Sequence, residues 1–379
     1  MPGLEVARKA WLWVSRLGDI GASASVEAAL GSGIVLASCA ASNPVGSAEV
    51  TIAYDDGLTN APAGSPQLGE LLRHYAARPP WKVAGVDYAV GVHSGVRLKD
   101  PLTLSVAGTA IDPGNHLIRI QKDNVTLDGY DFSLHGGYGI YIHSGVSDTV
   151  VSNSKFVVGV NNVVPINAEA GAGSLTITYS WFDGGSTTAN GNSDTVWALI
   201  NFNGSGKFVA IYNLLIDAPS DAIDFSNGTI SPTVKYNLVV SMGHAVGSHP
   251  DFVQFVGSRA DNSVIAFNTI YQPPDDGEVN GMQGIQVAAQ EGAHSSSIIN
   301  TVVEKNTIIA PGPKISMSCS VAIGVSTGNV LDGVAVRDNY LDFRGAYYPF
   351  YPPSGRHVVF SGNIDMRTGR QVATPLPRR

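Results

Sequence analysis

Short runs of β-branched and other apolar residues recur along most of the chain. Each ends two residues before a polar turn-former and resumes after it. The polar members are Asp128, Asn153, Ser180, Asn213, Asn237, Asn268, Asn306, Asn339 and Asn363. Successive members are 25, 27, 33, 24, 31, 38, 33 and 24 residues apart by their numbering. Runs this short alternate at strand period instead of following a helical face. Repetition at this interval predicts strand stacked on strand in successive coils. Nine coils at a strand spacing of about 4.8 Å would extend roughly 40 Å. Asn suits the turn because it tolerates the left-handed backbone region, and stacked Asn side chains can bond to one another in a ladder. The Asn row is therefore assigned to architecture.

A second set of strands aligns on inward pairs: Ile140/Ile142, Val164/Ile166, Ile200/Phe202, Ile223/Phe225, Val253/Phe255, Ile285/Val287 and Ile323/Val325. Alternation then places Tyr141, Pro165, Asn201, Asp224, Gln254, Gln286 and Gly324 in one outward row. Three positions earlier stand Asp221, Asp251 and Gln283, which predicts a second file beside the first. His249 enters next to Asp251, and His244 lies one turn earlier.

Ahead of the coils, Ser65 and Pro66 suit the start of a helix, and Leu68, Leu71, Leu72 and Tyr75 share a helical face. A short capping helix is expected there, stopping before Pro79–Pro80, with Val86 to Val96 completing a cap over the open end. The expected organisation is a possible export leader over 1–45, the cap over 46–105, the coils over 106–366 and a loose tail over 367–379. Arg8, Lys9 and Arg16 before small apolar residues make the leader, against which stand Asp19 and Glu27. Leu36-Ala-Ser-Cys39 also has the look of a lipidation box. The expected location is outside the cell, secreted or on its surface.

The repeats and the outward row together resemble the right-handed parallel β-helix superfamily, the architecture of pectate lyases, other polysaccharide lyases and hydrolases, and phage tailspikes. That resemblance covers about residues 106–366 and implies an all-β solenoid; it does not name an activity. Gly243-His-Ala stands where galacturonan hydrolases carry Gly-His-Gly, and His249-Pro-Asp251 reverses the Asp-Pro-His of alginate epimerases.

Candidate chemistry follows from the outward row. Asp, Asn and Gln groups match sugar hydroxyls, so a polysaccharide lying across the coils is the expected partner. Asp224, His249 and Asp251 are the candidate catalytic residues; Asn201, Asp221, Gln254, Gln283 and Gln286 are the candidate substrate-binding ones. Asp224 and Asp251 could serve as acid and base in glycoside hydrolysis. In β-elimination His249 could be the base, with Ca²⁺ held by Asp221, Asp224 and Asp251. A glycan-binding or adhesin-type coil without catalysis is the competing expectation. A net charge of −8 without a Lys/Arg-rich stripe argues against a nucleic-acid partner. Two cysteines make no disulfide framework, and no run of 18 apolar residues predicts a membrane span.

Overall fold

A computed structural model describes residues 66, 68–185, 196–245, 248, 250–274, 284–290, 295–311, 320–343, 350 and 353–375. The expected leader with Cys39, together with His249 and Gln283, lies outside them.

The fold is nearly all β. The strands are dealt in rotation to three sheets, so that one pass of the chain visits each sheet in turn. Ala198–Phe202 joins the first sheet, Gly206–Ile211 the second and Leu214–Ala218 the third, before Asp221–Ser226 returns to the first. Pairing is parallel throughout except at the two ends. Thr109–Asp112 pairs antiparallel with Leu117–Ile120, and Ile364–Asp365 does so with Arg370–Gln371. That second hairpin takes in part of the segment expected to be a loose tail. The third sheet divides what the sequence pattern presents as one strand after the Asn turn. Inward residues of all three sheets, among them Ile223, Val234 and Val239, share one apolar core.

The Asn row is a buried ladder. Asn268 is typical: its backbone N–H and its Nδ2 both donate to Asn306 Oδ1 at 3.0 Å, and Nδ2 also donates to the Val234 carbonyl at 2.9 Å. Its own Oδ1 accepts from Asn237 N and Nδ2 at 3.1 and 2.9 Å. The same unit runs from Asn213 to Asn363, with Ser180 and then Ser154 continuing it by hydroxyl acceptors. Asp128 and Asn153 do not belong to it. Asn153 instead donates to Asp128 on the exposed surface, because a hydroxyl at 154 occupies the ladder position.

The left-handed turn falls one residue earlier than expected. Tyr212, Tyr236 and Phe267 have φ of 60°, 57° and 59°, immediately ahead of Asn213, Asn237 and Asn268. Bulky residues avoid this region. Here it aims the rings outward, where Tyr179, Tyr212, Tyr236 and Phe267 stack at centroid spacings of 5.1, 5.0 and 5.0 Å.

No α-helix is present among the described residues, so the expected capping helix is not found. Leu68 to Tyr75 makes turns closed by three-residue bonds, Leu71 N to Leu68 O and Arg73 N to Glu70 O. Gly69 and the nearby Pro79–Pro80 leave too short a stretch for a helical nucleus to be repaid by propagation. Nor does the segment sit over an open end. It runs lengthwise along the third sheet as a strap. Ala77 N donates to Met366 O, Trp81 meets Tyr340 edge-on at 5.2 Å, Gly91 N donates to Tyr212 O, and Lys99 N donates to Gly129 O. At Gly85 (φ +75°) a Cβ would lie 2.5 Å from the Leu238 side chain. Gly85→Ala should loosen the strap and lower stability by about 1 kcal/mol or more. Thermal melting and trypsin cleavage near Lys82 check this. An unchanged Tm and cleavage rate would refute the close fit.

Candidate functional site

Register on the first sheet builds the outward row from strand to strand. Tyr141 pairs with Asn167, Asn167 with Asn201, Asn201 with Asp224, Asp224 with Gln254, and Gln254 with Gln286. Ala322 follows Gln286. The sequence alignment therefore holds at Tyr141 and over four central strands, and slips at two places, where Asn167 replaces Pro165 and Ala322 replaces Gly324. The row carries one more amide than expected, and Asn201 Nδ2 donates to Asn167 Oδ1 at 2.8 Å.

The second file needs a feature that alternation does not supply. Residues three apart on a regular strand face opposite sides. On these strands, however, adjacent residues both enter the core: Leu199 with Ile200, Ala222 with Ile223, and Phe252 with Val253. The register shifts between Asp251 and Val253, as a β-bulge requires. The extra inward residue brings Asp221 and Asp251 into electrostatic range of Asp224.

Three carboxyls are thus gathered on two strands. Asp251 is fully buried, and Asp221 and Asp224 are each 6% exposed. Asp251 N donates to Asp221 Oδ1 at 2.8 Å, and Ser226 Oγ donates to Asp224 Oδ2 at 2.7 Å. Asp224 Oδ1 and both carboxyl oxygens of Asp251 have no hydrogen-bond partner among the described residues. Burial pushes the Asp224 carboxyl up to about 6, against the Ser226 bond that favours its charged form. Asp221 is raised well above the ordinary range by burial and then by Asp224, opposed by the Asp251 N–H. Asp251 is likewise raised by burial, then by Asp221 and Asp224. Like charges this close cannot all ionise at neutral pH. Burial and mutual repulsion favour the protonated forms of Asp221 and Asp251.

Gln254 and Gln286 are half-buried beside it. His244 is not part of this group: its Nε2 lies 2.6 Å from Ser241 Oγ on the third sheet, and its ring is buried. Among the described residues no group of three or more His, Cys, Asp and Glu side chains is arranged to hold a metal ion. The placement of Asp224 and its row was readable from period-two alternation. Ser226, two residues on, was missed, although a hydroxyl at that spacing on the same face is the available signal. No helix of the described residues is long and apolar enough to cross a membrane. No protein-family model, no curated protein and no solved structure matches this chain.

Proposed function

We propose that this chain is a right-handed parallel β-helix that hydrolyses an extracellular polysaccharide along the outward row of its first sheet. The parallel sheets and rotating strand order support the architecture, and parallel crossovers are right-handed almost without exception. The observation that carries the function is the in-register row Asn167–Asn201–Asp224–Gln254–Gln286 with coupled carboxyls at its centre. Amides and acids repeat there at about one strand spacing, roughly 4.8 Å, and offer fixed donors and acceptors to successive sugar hydroxyls.

Pairs of acids pushed to different proton affinities separate into acid and base. Asp224, with the lower value of about 6, is the carboxylate that activates water near neutral pH. Asp221 stays protonated and donates to the leaving oxygen; its Oδ1 already accepts the Asp251 N–H, so its other oxygen carries the proton. Burial and the neighbouring Asp224 hold Asp221 protonated against the Asp251 N–H, and Asp251, itself fully buried, acts as a positioning residue through that bond. The net change is glycosidic C–O cleavage, with water supplying OH to the anomeric carbon and H to the leaving group. Hydrolysis is favoured over β-elimination because it needs one charged and one protonated carboxyl, which this cluster offers, whereas elimination also needs positive charge at a uronate carboxylate and no side chain of the row is cationic.

The deep burial of the carboxyls favours a second reading, a glycan-binding coil in which the cluster is structural. Incubation with a panel of neutral and acidic polysaccharides separates the two by release of reducing ends. Asp224→Asn and Asp221→Asn should each cut that release by about 10²–10⁴-fold, the ordinary contribution of acid–base groups. Retained glycan binding with no product from the unmodified protein would establish the binding role instead. Full turnover in both variants would dismiss this site.

A further inference from the structure

The second sheet carries a feature that the row on the first sheet does not use. Thr229–Lys235 is the longest strand described, and the next pass of the chain answers it with two shorter ones, Arg259–Asp261 and Val264–Ala266. The break falls at Asn262, whose φ of 54° bends the chain. From there the sheet forks, and the side branch continues through Ser297–Ile299 and Val330–Asp332. An open groove of about 630 Å³ lies at the fork.

Its lining has a definite chemistry. Lys207 sits beside Ser231 in register, and Arg259 lies between Thr229 and Ser297. Both cations are exposed, and among the described residues neither side chain makes an ion pair, ring contact or hydrogen bond. By contrast, Arg337 on this sheet bonds Glu304 at 2.7 Å, and Arg356 lies 2.9 Å from Asp332. The one carboxylate in the groove, Asp261, accepts from Asn300 Nδ2 at 3.4 Å. Hydroxyls of Thr229 and Ser231 stand on the strand between the cations, and those of Thr233 and Ser297 line the groove beside them.

We infer that the fork groove binds an acidic oligosaccharide, with Lys207 and Arg259 taking its carboxylate or sulfate groups and the Thr/Ser hydroxyls taking its neutral ones. Guanidinium and ammonium groups recognise both anions by charge-assisted bonds. A groove of this volume accommodates a ligand of a few sugar units. The lining contains no aromatic ring for a base to stack on, and the chain as a whole is acidic, so a nucleic acid fits poorly. The inference rests on the carbohydrate class proposed above but needs no catalysis at Asp224.

Calorimetric titration at low ionic strength, with three probes of equal length, tests it: a sulfated dextran oligosaccharide, an oligogalacturonate and neutral dextran. At least one acidic probe should bind about tenfold or more tighter than the neutral one and weaken as salt is added. Lys207→Gln/Arg259→Gln should lose at least about tenfold in affinity, since each charge-assisted bond is worth that much. The double variant should keep the reducing-end release of the unmodified protein, which separates failure here from failure of the hydrolytic site. The acidic probe that binds identifies the anion as sulfate ester or carboxylate. Equal binding of neutral dextran, undiminished binding by the double variant, or no binding of either acidic probe would overturn the assignment.

Discussion

Asn268→Ala is expected to be among the most damaging single substitutions in this chain, at a cost of about 4 kcal/mol or more. The side chain donates two hydrogen bonds and accepts two, all within 3.1 Å, in a fully buried position. Truncation would leave the Asn237 backbone N–H and one N–H of its side-chain amide without an acceptor, and would take the Asn268 donor from the Val234 carbonyl, all away from water. Each such orphan costs about 1–3 kcal/mol. Asn268→Asp should be worse at neutral pH despite its near-identical shape. An oxygen would replace Nδ2 opposite two acceptors, the Val234 carbonyl and Asn306 Oδ1, and it would bring an unpaired charge. Denaturant unfolding of both variants beside Asn300→Ala, a left-handed residue outside the ladder, measures the difference. If Asn268→Ala falls within about 1 kcal/mol of the native protein, the ladder is not what fastens the layers together.

The second large effect is a dependence of stability on pH that Asp251→Asn should flatten. An acid whose proton affinity rises on folding binds more protons in the native state than in the unfolded chain. Its contribution to stability is therefore fully present below about pH 4, the unfolded value, and is lost as pH climbs through the folded one. For Asp224, moving from 3.8 to about 6, that loss is on the order of 3 kcal/mol by pH 7. Asp221 and Asp251 add to it in the same direction and at higher pH. The ion-paired Asp112 and Asp332 are depressed by their hydrogen-bond partners and act with the opposite sign below pH 4, outside this window. An Asn at 251 keeps the volume, removes the proton and offers Nδ2 to the neighbouring carboxyls. Melting temperatures from pH 4 to pH 8 should fall for the native protein and fall less for Asp251→Asn, so that the variant is the more stable at pH 8. Parallel curves would show that the cluster does not titrate as a unit. In the proposed hydrolase such a gain would accompany reduced turnover, the exchange expected where acids are buried for chemistry.

The repeat was legible because an Asn ladder makes one amide indispensable per pass, and an indispensable residue leaves a mark in the sequence. Ser154 and Ser180 do the same work with a hydroxyl, so the first passes carried a weaker mark, and Asn153 stood in the way. The outward row was legible wherever strands were long. At Pro165 and Gly324 the alignment slipped by two residues, an error that alternation cannot detect because a shift of two preserves which side faces in. The second carboxylate file was expected from residues three apart, which a regular strand would have split between two faces. It forms only because each strand doubles an inward residue, and a bulge has no signature in a run that is apolar anyway. The strap was misread as a helix because Leu68, Leu71, Leu72 and Tyr75 fit a helical face. The stacked rings at 179, 212, 236 and 267, each one place before a ladder residue, were the available sign that the third sheet has a covered exterior.

The strap also sets an order of events during biosynthesis. Residues 75–81 leave the ribosome first, yet Tyr75 bonds to Asp342 and Ala77 to Met366, which are made nearly three hundred residues later. At synthesis rates of about 5–20 residues per second, this stretch waits many seconds without its docking surface. Meanwhile it gains attachments only as each layer is made, first at Lys99 and Gly129 and later at Gly91 and Tyr212. Once the final layers arrive, a single segment runs from the last layers to the first, so an end layer cannot peel away without also breaking the strap bonds that fasten it, Tyr75 and Ala77 at one end and Lys99 at the other.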